Sequence, residues 1–234
     1  MSMLKAPKPV SRRHELREDQ LATATAKGMT FLEEHRTLII AAAAALVVVV
    51  LGVVGWGWYQ ARQDREAAEA LGGILNVYEA GNYEEALEGT AEAPGLLEIA
   101  DEYGSTNTGN LATFFAADAL YQLGRYDEAL EQFEDYDGGR DILGASALAG
   151  QAAVHEQRGE YARAGELYLR AADAYHSAAT TPDYLMAAGR SFEAAGDYAR
   201  AEATYERYGE EWGDHPNALL VEAFLARVRA AQAE

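Results

Sequence analysis

Residues 117–133 read ADALYQLGRYDEALEQF, and they contain a pattern that recurs along the chain. Its centre is a glycine that is followed two residues later by tyrosine and five residues later by alanine. The pattern occurs four times, with spacings of 43, 35 and 37 residues, at residues 81–86, 124–129, 159–164 and 196–201. Because a recurrence of this kind marks a repeated supersecondary unit, it predicts similar helical hairpins that stack on one another.

Residues at fixed distances from each glycine support this interpretation. Seven residues before it, where the two helices of a hairpin approach most closely, the chain has small residues: Ala117, Ala152 and Gly189. Nine residues after it, the chain has aromatic residues that we expect to wedge between neighbouring units: Phe133, Tyr168 and Tyr205. The glycine itself ends the first helix, because it adopts a left-handed conformation without a Cβ clash.

The pattern resembles the tetratricopeptide repeat, a helix–turn–helix unit of about 34 residues. This resemblance implies an all-α solenoid of about four helix pairs over residues 60–234. The first unit has Ile74 and Thr90 at two of the diagnostic places, as expected for a terminal repeat. The last helix has no partner helix, and we expect it to cap the solenoid through an apolar stripe: Leu220, Val221, Phe224, Leu225 and Val228.

An insert at residues 93–110 separates the first two units. Pro94 is expected to open a short helix that extends to Tyr103. Residues 104–109 have the glycine frame of a phosphate-binding loop, but Asn110 and Leu111 follow where such a loop needs Lys and Ser or Thr. We therefore interpret residues 104–109 as turn and cap residues of a helix at 110–123.

Residues 38–59, LIIAAAAALVVVVLGVVGWGWY, are 22 residues without a charged side chain. A helix of this length spans roughly 33 Å, against a bilayer hydrocarbon core of about 30 Å. Trp56, Trp58 and Tyr59 gather at one end, where aromatic rings prefer the headgroup layer. The 37 residues before the stretch and the absence of a small-residue cleavage site argue against a cleaved signal peptide. The stretch predicts a single N-terminal transmembrane helix.

Charge predicts the orientation of this helix. Residues 1–37 contain seven basic and five acidic residues, whereas residues 60–234 contain 12 Arg, no Lys and 33 acidic residues. Because basic residues near a membrane helix stay in the cytoplasm, we expect residues 1–37 to be a cytoplasmic tail and residues 60–234 to lie outside the cytoplasmic membrane. Within the tail, residues 12–35 favour a membrane-surface helix and a partly ordered segment about equally.

The same charges exclude several classes of function. A net charge of −21 over residues 60–234 argues against nucleic acid, whose phosphates require Lys and Arg. The absence of cysteine excludes disulfides and thiolate chemistry. Two explanations of the acidity stay equally open: an ordinary solvated surface, and adaptation to high salt.

No catalytic or metal-binding constellation emerges from the sequence. The five histidines are scattered, and two of them precede residue 38. Residues 135–141 are rich in aspartate, but Arg140 and Ser146 occupy the places where a calcium loop needs glycine and glutamate. We therefore predict a protein that is not an enzyme and that needs no cofactor, metal or small-molecule substrate.

The candidate binding site is the set of groove positions on the first helices of the repeats. We expect Phe114, Tyr121 and Met186 to be apolar anchors for a partner protein, and the charged positions to set its polarity. The set comprises Leu111, Phe114, Asp118, Tyr121, Gln122, Glu156, Gln157, Met186, Arg190 and Glu193. It suits an extended segment or a helix that carries basic and apolar residues. The alternative is that Phe114 and Tyr121 only pack against the insert.

The tail, the membrane helix and the acidic repeat domain together resemble the ancillary SecYEG translocon subunit family (YfgM-like). Residues 102–112 (EYGSTNTGNLA) and 180–185 (TTPDYL) resemble membrane-anchored members from Bacteroidota. The resemblance implies a periplasmic protein-interaction module beside the translocon and its chaperones. Two alternatives are an envelope-assembly or secretion-machinery scaffold without Sec contact, and an anchor that tethers a soluble enzyme.

A reporter fused after Glu234 tests the orientation. An enzyme that is active only outside the cytoplasm should work at this position, because the seven basic residues before Leu38 hold the N-terminus inside. A cytosol-only reporter at the same position serves as the control. Activity of that second reporter would contradict the predicted topology.

Overall fold

The computed structural model describes residues 35–233, apart from the side chain of Ile39, and its regular secondary structure in this range is helical. Most of the predicted tail, including residues 12–34, lies outside the described residues. The helices are α1 (Arg36–Glu79), α2 (Tyr83–Glu88), α3 (Leu96–Tyr103), α4 (Asn107–Gln122), α5 (Tyr126–Asp135), α6 (Ile142–Gln157), α7 (Tyr161–Ala174), α8 (Thr181–Ala194), α9 (Tyr198–Trp212) and α10 (Ala218–Gln232). The chain divides into two compact units, residues 1–59 and residues 60–234.

The four repeat glycines all have left-handed backbone conformations. Their φ angles are 81° at Gly81, 74° at Gly124, 73° at Gly159 and 74° at Gly196. After each glycine, the next backbone N–H donates back to the carbonyl five residues earlier; the Arg125 N–H donates to the Leu120 carbonyl over 2.9 Å. This bond satisfies a carbonyl that the end of the helix leaves unpaired. The prediction for the helix ends is therefore confirmed.

These turns produce a solenoid of helix hairpins within residues 60–234. The pairs α4/α5, α6/α7 and α8/α9 pack in chain order, each hairpin against the next, and α10 packs on α9. The first hairpin is formed by the part of α1 after residue 60 and by α2, which has only six residues. Its short second helix is followed by α3, which packs on α2 and α4. The predicted helix pairs and capping helix are present.

Burial of small and branched side chains holds the hairpins together. One cluster joins α1, α2, α3 and α4 through side chains such as Ile74, Leu96 and Leu120. A second cluster joins α7, α8, α9 and α10. Helix α6 contributes Val154 to the first cluster and Ala152 to the second. Since each hairpin contacts mainly its neighbours, the core extends along the stack as expected for a solenoid.

Glycines within the helices let aromatic rings pack directly on helix backbones. A Cβ on Gly150 would lie 2.3 Å from the Phe133 ring, and a Cβ on Gly189 would lie 2.2 Å from the Tyr205 ring. Phe133 therefore wedges into the following hairpin as expected. Tyr205 packs on Gly189 of its own hairpin and also contacts the following helix, because its ring centroid lies 5.7 Å from that of Phe224 on α10.

The insert folds as α3 and as the N-terminal cap of α4. The Thr106 hydroxyl accepts a hydrogen bond from the Gly109 N–H over 3.0 Å, so the predicted cap is present. The predicted start at residue 110 is wrong, because α4 begins at Asn107 and residues 107–109 form its first turn. Asp64 accepts another from the Thr108 N–H over 2.9 Å, and this bond lowers the pKa of Asp64. Pro94 does not open α3: the helix begins at Leu96, with Gly95 as its cap.

The stripe predicted on α10 is only partly buried. Val221 and Val228 are buried against the preceding helices, whereas Leu220 is 47% exposed. The assignment of Leu220 to the packed stripe is therefore wrong, because the helix faces α9 through the neighbouring position. The expected role of α10 as a terminal helix that packs on the last full hairpin is retained.

The first half of α1 presents its apolar side chains to the surroundings. Leu38, Val48 and Trp58 are about 70% exposed. By length and composition, α1 is the single helix among residues 35–233 that could cross a membrane.

Replacing Gly159 by alanine tests the dependence of the hairpin on left-handed glycine. A Cβ at Gly159 would meet no atom within 4 Å, so the cost comes from the backbone, about 1–2 kcal/mol in the free energy of unfolding. Gly209→Ala in α9 is the matched control, because that glycine is helical and also has open space around it. We expect the control to stabilise by up to about 1 kcal/mol in urea unfolding. Equal effects of the two substitutions would contradict the explanation.

Candidate functional site

The ten predicted site residues lie on α4, α6 and α8, the first helices of three consecutive hairpins. We call this set the first-helix face. Gln122, Gln157 and Arg190 are exposed, and the other seven side chains are half-buried. No member of the set is fully buried, so each presents at least part of its surface to solvent.

Phe114 belongs to an aromatic group at the end of the second hairpin. Its ring centroid lies 6.1 Å from that of Phe133, 5.5 Å from that of Tyr136 and 6.0 Å from that of Phe115, all with edge-to-face geometry. The alternative to a binding role was that Phe114 packs against the insert at residues 93–110. Its ring contacts are instead with α4, α5 and the residue after α5. Only the outer part of the Phe114 ring is left for a partner.

Asp118 connects α4 to α1. Its carboxylate accepts hydrogen bonds from the Tyr78 hydroxyl over 2.5 Å and from the Gln122 amide over 3.3 Å. Burial raises the pKa of Tyr78, and the hydrogen bond to Asp118 raises it further. Tyr78 therefore stays protonated and remains a hydrogen-bond donor to Asp118 across the usual pH range.

Tyr121 lies between the second and third hairpins. Its ring centroid is 5.4 Å from that of Tyr126, and its hydroxyl is 3.5 Å from the Gln157 amide nitrogen. The second distance is at the outer limit of a hydrogen bond. This weak contact brings two exposed or half-buried polar groups together on the surface.

Glu156 joins three helices. Its two carboxylate oxygens accept hydrogen bonds from the Tyr168 hydroxyl of α7 over 3.1 Å and from the Ser191 hydroxyl of α8 over 2.6 Å. Ser191 is 1% exposed, and Tyr168 is 8% exposed. Burial and then the charge of Glu156 raise the pKa of Tyr168, so this donor also stays protonated.

Glu193 joins α8 to the terminal helix. Its carboxylate forms a two-pronged pair with the Arg227 guanidinium of α10, with N–O distances of 2.6 and 2.7 Å. The Tyr205 hydroxyl lies 3.5 Å from the same carboxylate. Burial and then the negative charge of Glu193 raise the pKa of Tyr205. A planar guanidinium–carboxylate pair fixes both side chains more firmly than a single contact would.

These contacts form a recurring arrangement, which we call the tyrosine–carboxylate ladder: Tyr78 with Asp118, Tyr168 with Glu156, and Tyr205 with Glu193. Sequence reasoning named the carboxylates but missed their partners Tyr78, Ser191 and Arg227. The sequence contains a pattern that could have predicted two of the tyrosine partners, because Glu156 and Glu193 each precede a tyrosine by 12 residues. Partners on neighbouring helices therefore fix the positions of these three carboxylates.

Arg190 differs from the other charged members of the first-helix face. It is exposed, and within residues 35–233 it forms no ion pair. The face therefore offers a solvent-exposed guanidinium, two exposed amides and the half-buried Met186, among three fixed carboxylates. These groups can bind another chain by hydrogen bonds, charge and apolar contact. The part of the chain that the structure describes contains no group of three His, Cys, Asp or Glu side chains that could hold a metal ion.

The fold is that of a helical repeat protein, a class whose members generally bind other proteins through surfaces spread over several hairpins. The chain belongs to the tetratricopeptide repeat-like domain family, which matches residues 29–181. The family is one of interaction scaffolds, and no catalytic family is indicated.

Two solved structures with the same fold are a crystal structure of the TPR-like repeats of a Podosopora anserina protein described as a putative kinesin light chain and a crystal structure of a single-substitution variant of those repeats. Each is 16% identical to this chain and superposes on it with a TM-score of 0.56. The matched region covers 73% of this chain and 88% of the solved chain. At this identity they show the fold alone. No curated protein matches the chain.

Replacing Glu156 by alanine tests the ladder. Because the buried hydroxyls of Tyr168 and Ser191 would lose their acceptor, we expect a loss of about 1–3 kcal/mol in the free energy of unfolding, measured in urea. Glu131→Ala, on the exposed surface of α5, is the matched control and should change stability by less than about 0.5 kcal/mol. Glu156→Gln keeps an acceptor oxygen and should recover part of the loss. Equal stability of all three variants would show that the contacts contribute nothing.

Proposed function

We propose that this protein is a single-pass membrane-anchored adaptor whose repeat domain binds protein segments outside the cytoplasmic membrane. The proposal depends chiefly on one observation: a repeat fold that binds proteins is joined in one chain to an apolar helical segment whose side chains are exposed. It needs no catalytic step.

The anchor is residues 38–59 of α1. The large exposed apolar side chains there include Leu46, Leu51 and Val54, each more than 60% exposed. Exposing such side chains to water costs roughly 25 cal/mol for each Å² of apolar surface, and a bilayer removes this cost. The rings of Trp56 and Tyr59 lie 6.0 Å apart at one end of the segment, where the interface would be. The charge distribution supports a cytoplasmic N-terminus and a periplasmic repeat domain.

The binding surface is the first-helix face. Because Arg227 already pairs with Glu193, Asp118 and Glu156 remain as two carboxylates against the single guanidinium of Arg190, so the face keeps a net negative charge and favours a segment with positive charge. Met186 and the outer parts of Phe114 and Tyr121 supply the apolar contacts. Because the ladder fixes the carboxylates before binding, a basic partner meets a surface that needs little rearrangement.

The position of the adaptor in the cell is proposed from the sequence resemblance. Residues 102–112 and 180–185 resemble the ancillary SecYEG translocon subunit family, which supports a place beside the Sec translocon. In the structure, residues 102–112 contribute the cap of α4, and residues 180–185 contribute the start of α8. The partners would then be newly exported chains and their chaperones.

Photo-crosslinking in intact cells tests this function. A photoreactive residue at Gln157, which is exposed on the first-helix face, should crosslink to exported chains and to translocon subunits. The matched control carries the same residue at Arg170, which is exposed on α7 outside the face. Equal crosslinking from both positions would contradict the assigned face. If Gln157 crosslinks to specific partners but not to translocon subunits, the adaptor function is supported and the proposed place beside the Sec translocon is contradicted.

Replacing Tyr121 by alanine in the crosslinking protein separates binding from packing. If Tyr121 is an anchor, the crosslinks from Gln157 should decrease while the melting temperature stays nearly unchanged. A melting temperature that falls together with the crosslinks would assign Tyr121 to the packed interior instead.

A further inference from the structure

A crevice between α9 and α10 is a second candidate binding surface, separate from the first-helix face. Its volume is about 430 Å³, which lies in the range of ligand pockets, roughly 300–1,000 Å³. Tyr205, Val221 and Leu225 contribute apolar lining, and Glu206, Glu210 and Glu222 contribute carboxylates. We call this surface the terminal crevice.

The crevice exists because two glycines, Gly209 in α9 and Gly213 directly after it, leave space beside α10. Gly209 and Gly213 both line the crevice, and a Cβ on Gly209 would meet no atom within 4 Å. Beside it, the two helices are closely packed, with the Tyr205 and Phe224 ring centroids 5.7 Å apart. The space is therefore local, and a larger side chain at residue 209 could fill it without displacing a helix.

The carboxylates of the crevice differ in their pairing. Glu206 forms an ion pair with Arg229. Within residues 35–233, neither Glu210 nor Glu222 forms an ion pair. Apolar lining beside two uncompensated negative charges complements a group that is apolar along its length and positive at its side.

Exposed leucines extend the apolar surface next to the crevice. Leu219 is 79% exposed and Leu220 is 47% exposed, and both precede the lining residue Val221 on α10. An occupant longer than one side chain could therefore continue its apolar contact along the start of α10.

We propose that the terminal crevice docks a segment of another protein in which a leucine-sized apolar side chain is flanked by Lys or Arg. The apolar side chain enters the space beside Gly209, and the basic side chains pair with Glu210 and Glu222. A second copy of this chain is a poor occupant, because each repeat domain has a net charge of −21. The proposal does not depend on binding at the first-helix face.

A label on the protein itself tests the proposal. The chain has no cysteine, so Leu219→Cys provides a single attachment point for an environment-sensitive fluorophore beside the crevice. The full chain is held in nanodiscs of zwitterionic lipid and titrated with a peptide of leucine and lysine, about four helical turns long. A leucine–glutamate peptide of equal length is the matched control ligand. A label at Glu131→Cys, exposed on α5, is the matched control position.

We expect the leucine–lysine peptide to shift the fluorescence at residue 219 with saturation, and the control peptide to have no effect. Gly209→Leu, which fills the crevice, should weaken binding roughly tenfold or more, as expected when one buried leucine contact is lost. The double substitution Glu210→Gln and Glu222→Gln keeps the shape of the crevice, and it should weaken binding and reduce its salt dependence. Unchanged melting temperatures confirm that the variants remain folded.

Several results would overturn the proposal. No saturable shift at residue 219 would show that the crevice does not dock such a segment. If the wild type and the Glu210→Gln, Glu222→Gln variant bind the leucine–lysine peptide with equal affinity, the proposed recognition of positive charge by these two carboxylates is wrong. Equal shifts at residues 219 and 131 would show binding elsewhere, and a shift caused by unlabelled full chain alone would assign the surface to a second copy.

Discussion

The left-handed backbone at the repeat glycines is the constraint on which the rest of the structure depends. Each of Gly124, Gly159 and Gly196 ends a first helix and reverses the chain within two residues, so that the second helix packs back on the first. An L-residue with a Cβ would be strained there by roughly 1–2 kcal/mol. Because the same turn recurs at nearly the same spacing, the hairpins stack in a common register, and residues from corresponding positions meet along the solenoid.

The tyrosine–carboxylate ladder is the main consequence of that register. Tyrosines on the second helices of two hairpins, and on α1 for the first, reach carboxylates on the first helices. A buried tyrosine hydroxyl without an acceptor would destabilise the fold, and carboxylates without fixed positions would discriminate poorly between partners. In the ladder, each carboxylate accepts a hydrogen bond from a tyrosine hydroxyl, and this bond also fixes the position of the carboxylate on the face that we propose for binding. Glu156 also bonds to Ser191 of the next hairpin, so one carboxylate contributes to stability and to the proposed surface.

The two proposed surfaces and the anchor have different physical origins. The first-helix face consists of side chains whose positions are fixed by contacts inside the stack. The terminal crevice, in contrast, results from missing side chains at Gly209 and Gly213 where the last hairpin meets α10. The apolar half of α1 is exposed, and its 22 residues without a charged side chain fit the bilayer anchor that we propose. The first-helix face therefore follows from the repetition of the hairpins, whereas the terminal crevice and the apolar half of α1 are places where the chain departs from the repeat.

The sequence by itself determined the helical class, the positions of the hairpins and the left-handed glycines, because these follow from local backbone preference and a period near 34 residues. It also determined that a helix cap lies within residues 104–109, because a cap is a local interaction, although the helix begins three residues earlier than predicted. Contacts between helices distant in sequence were decided only by the tertiary structure. Tyr205 packs on Gly189 of its own hairpin, Phe114 packs on Phe133 and Tyr136, and Arg227 pairs with Glu193 across 34 residues. These partners depend on the angle and separation at which helices cross, and neither quantity is encoded in the spacing of a repeat.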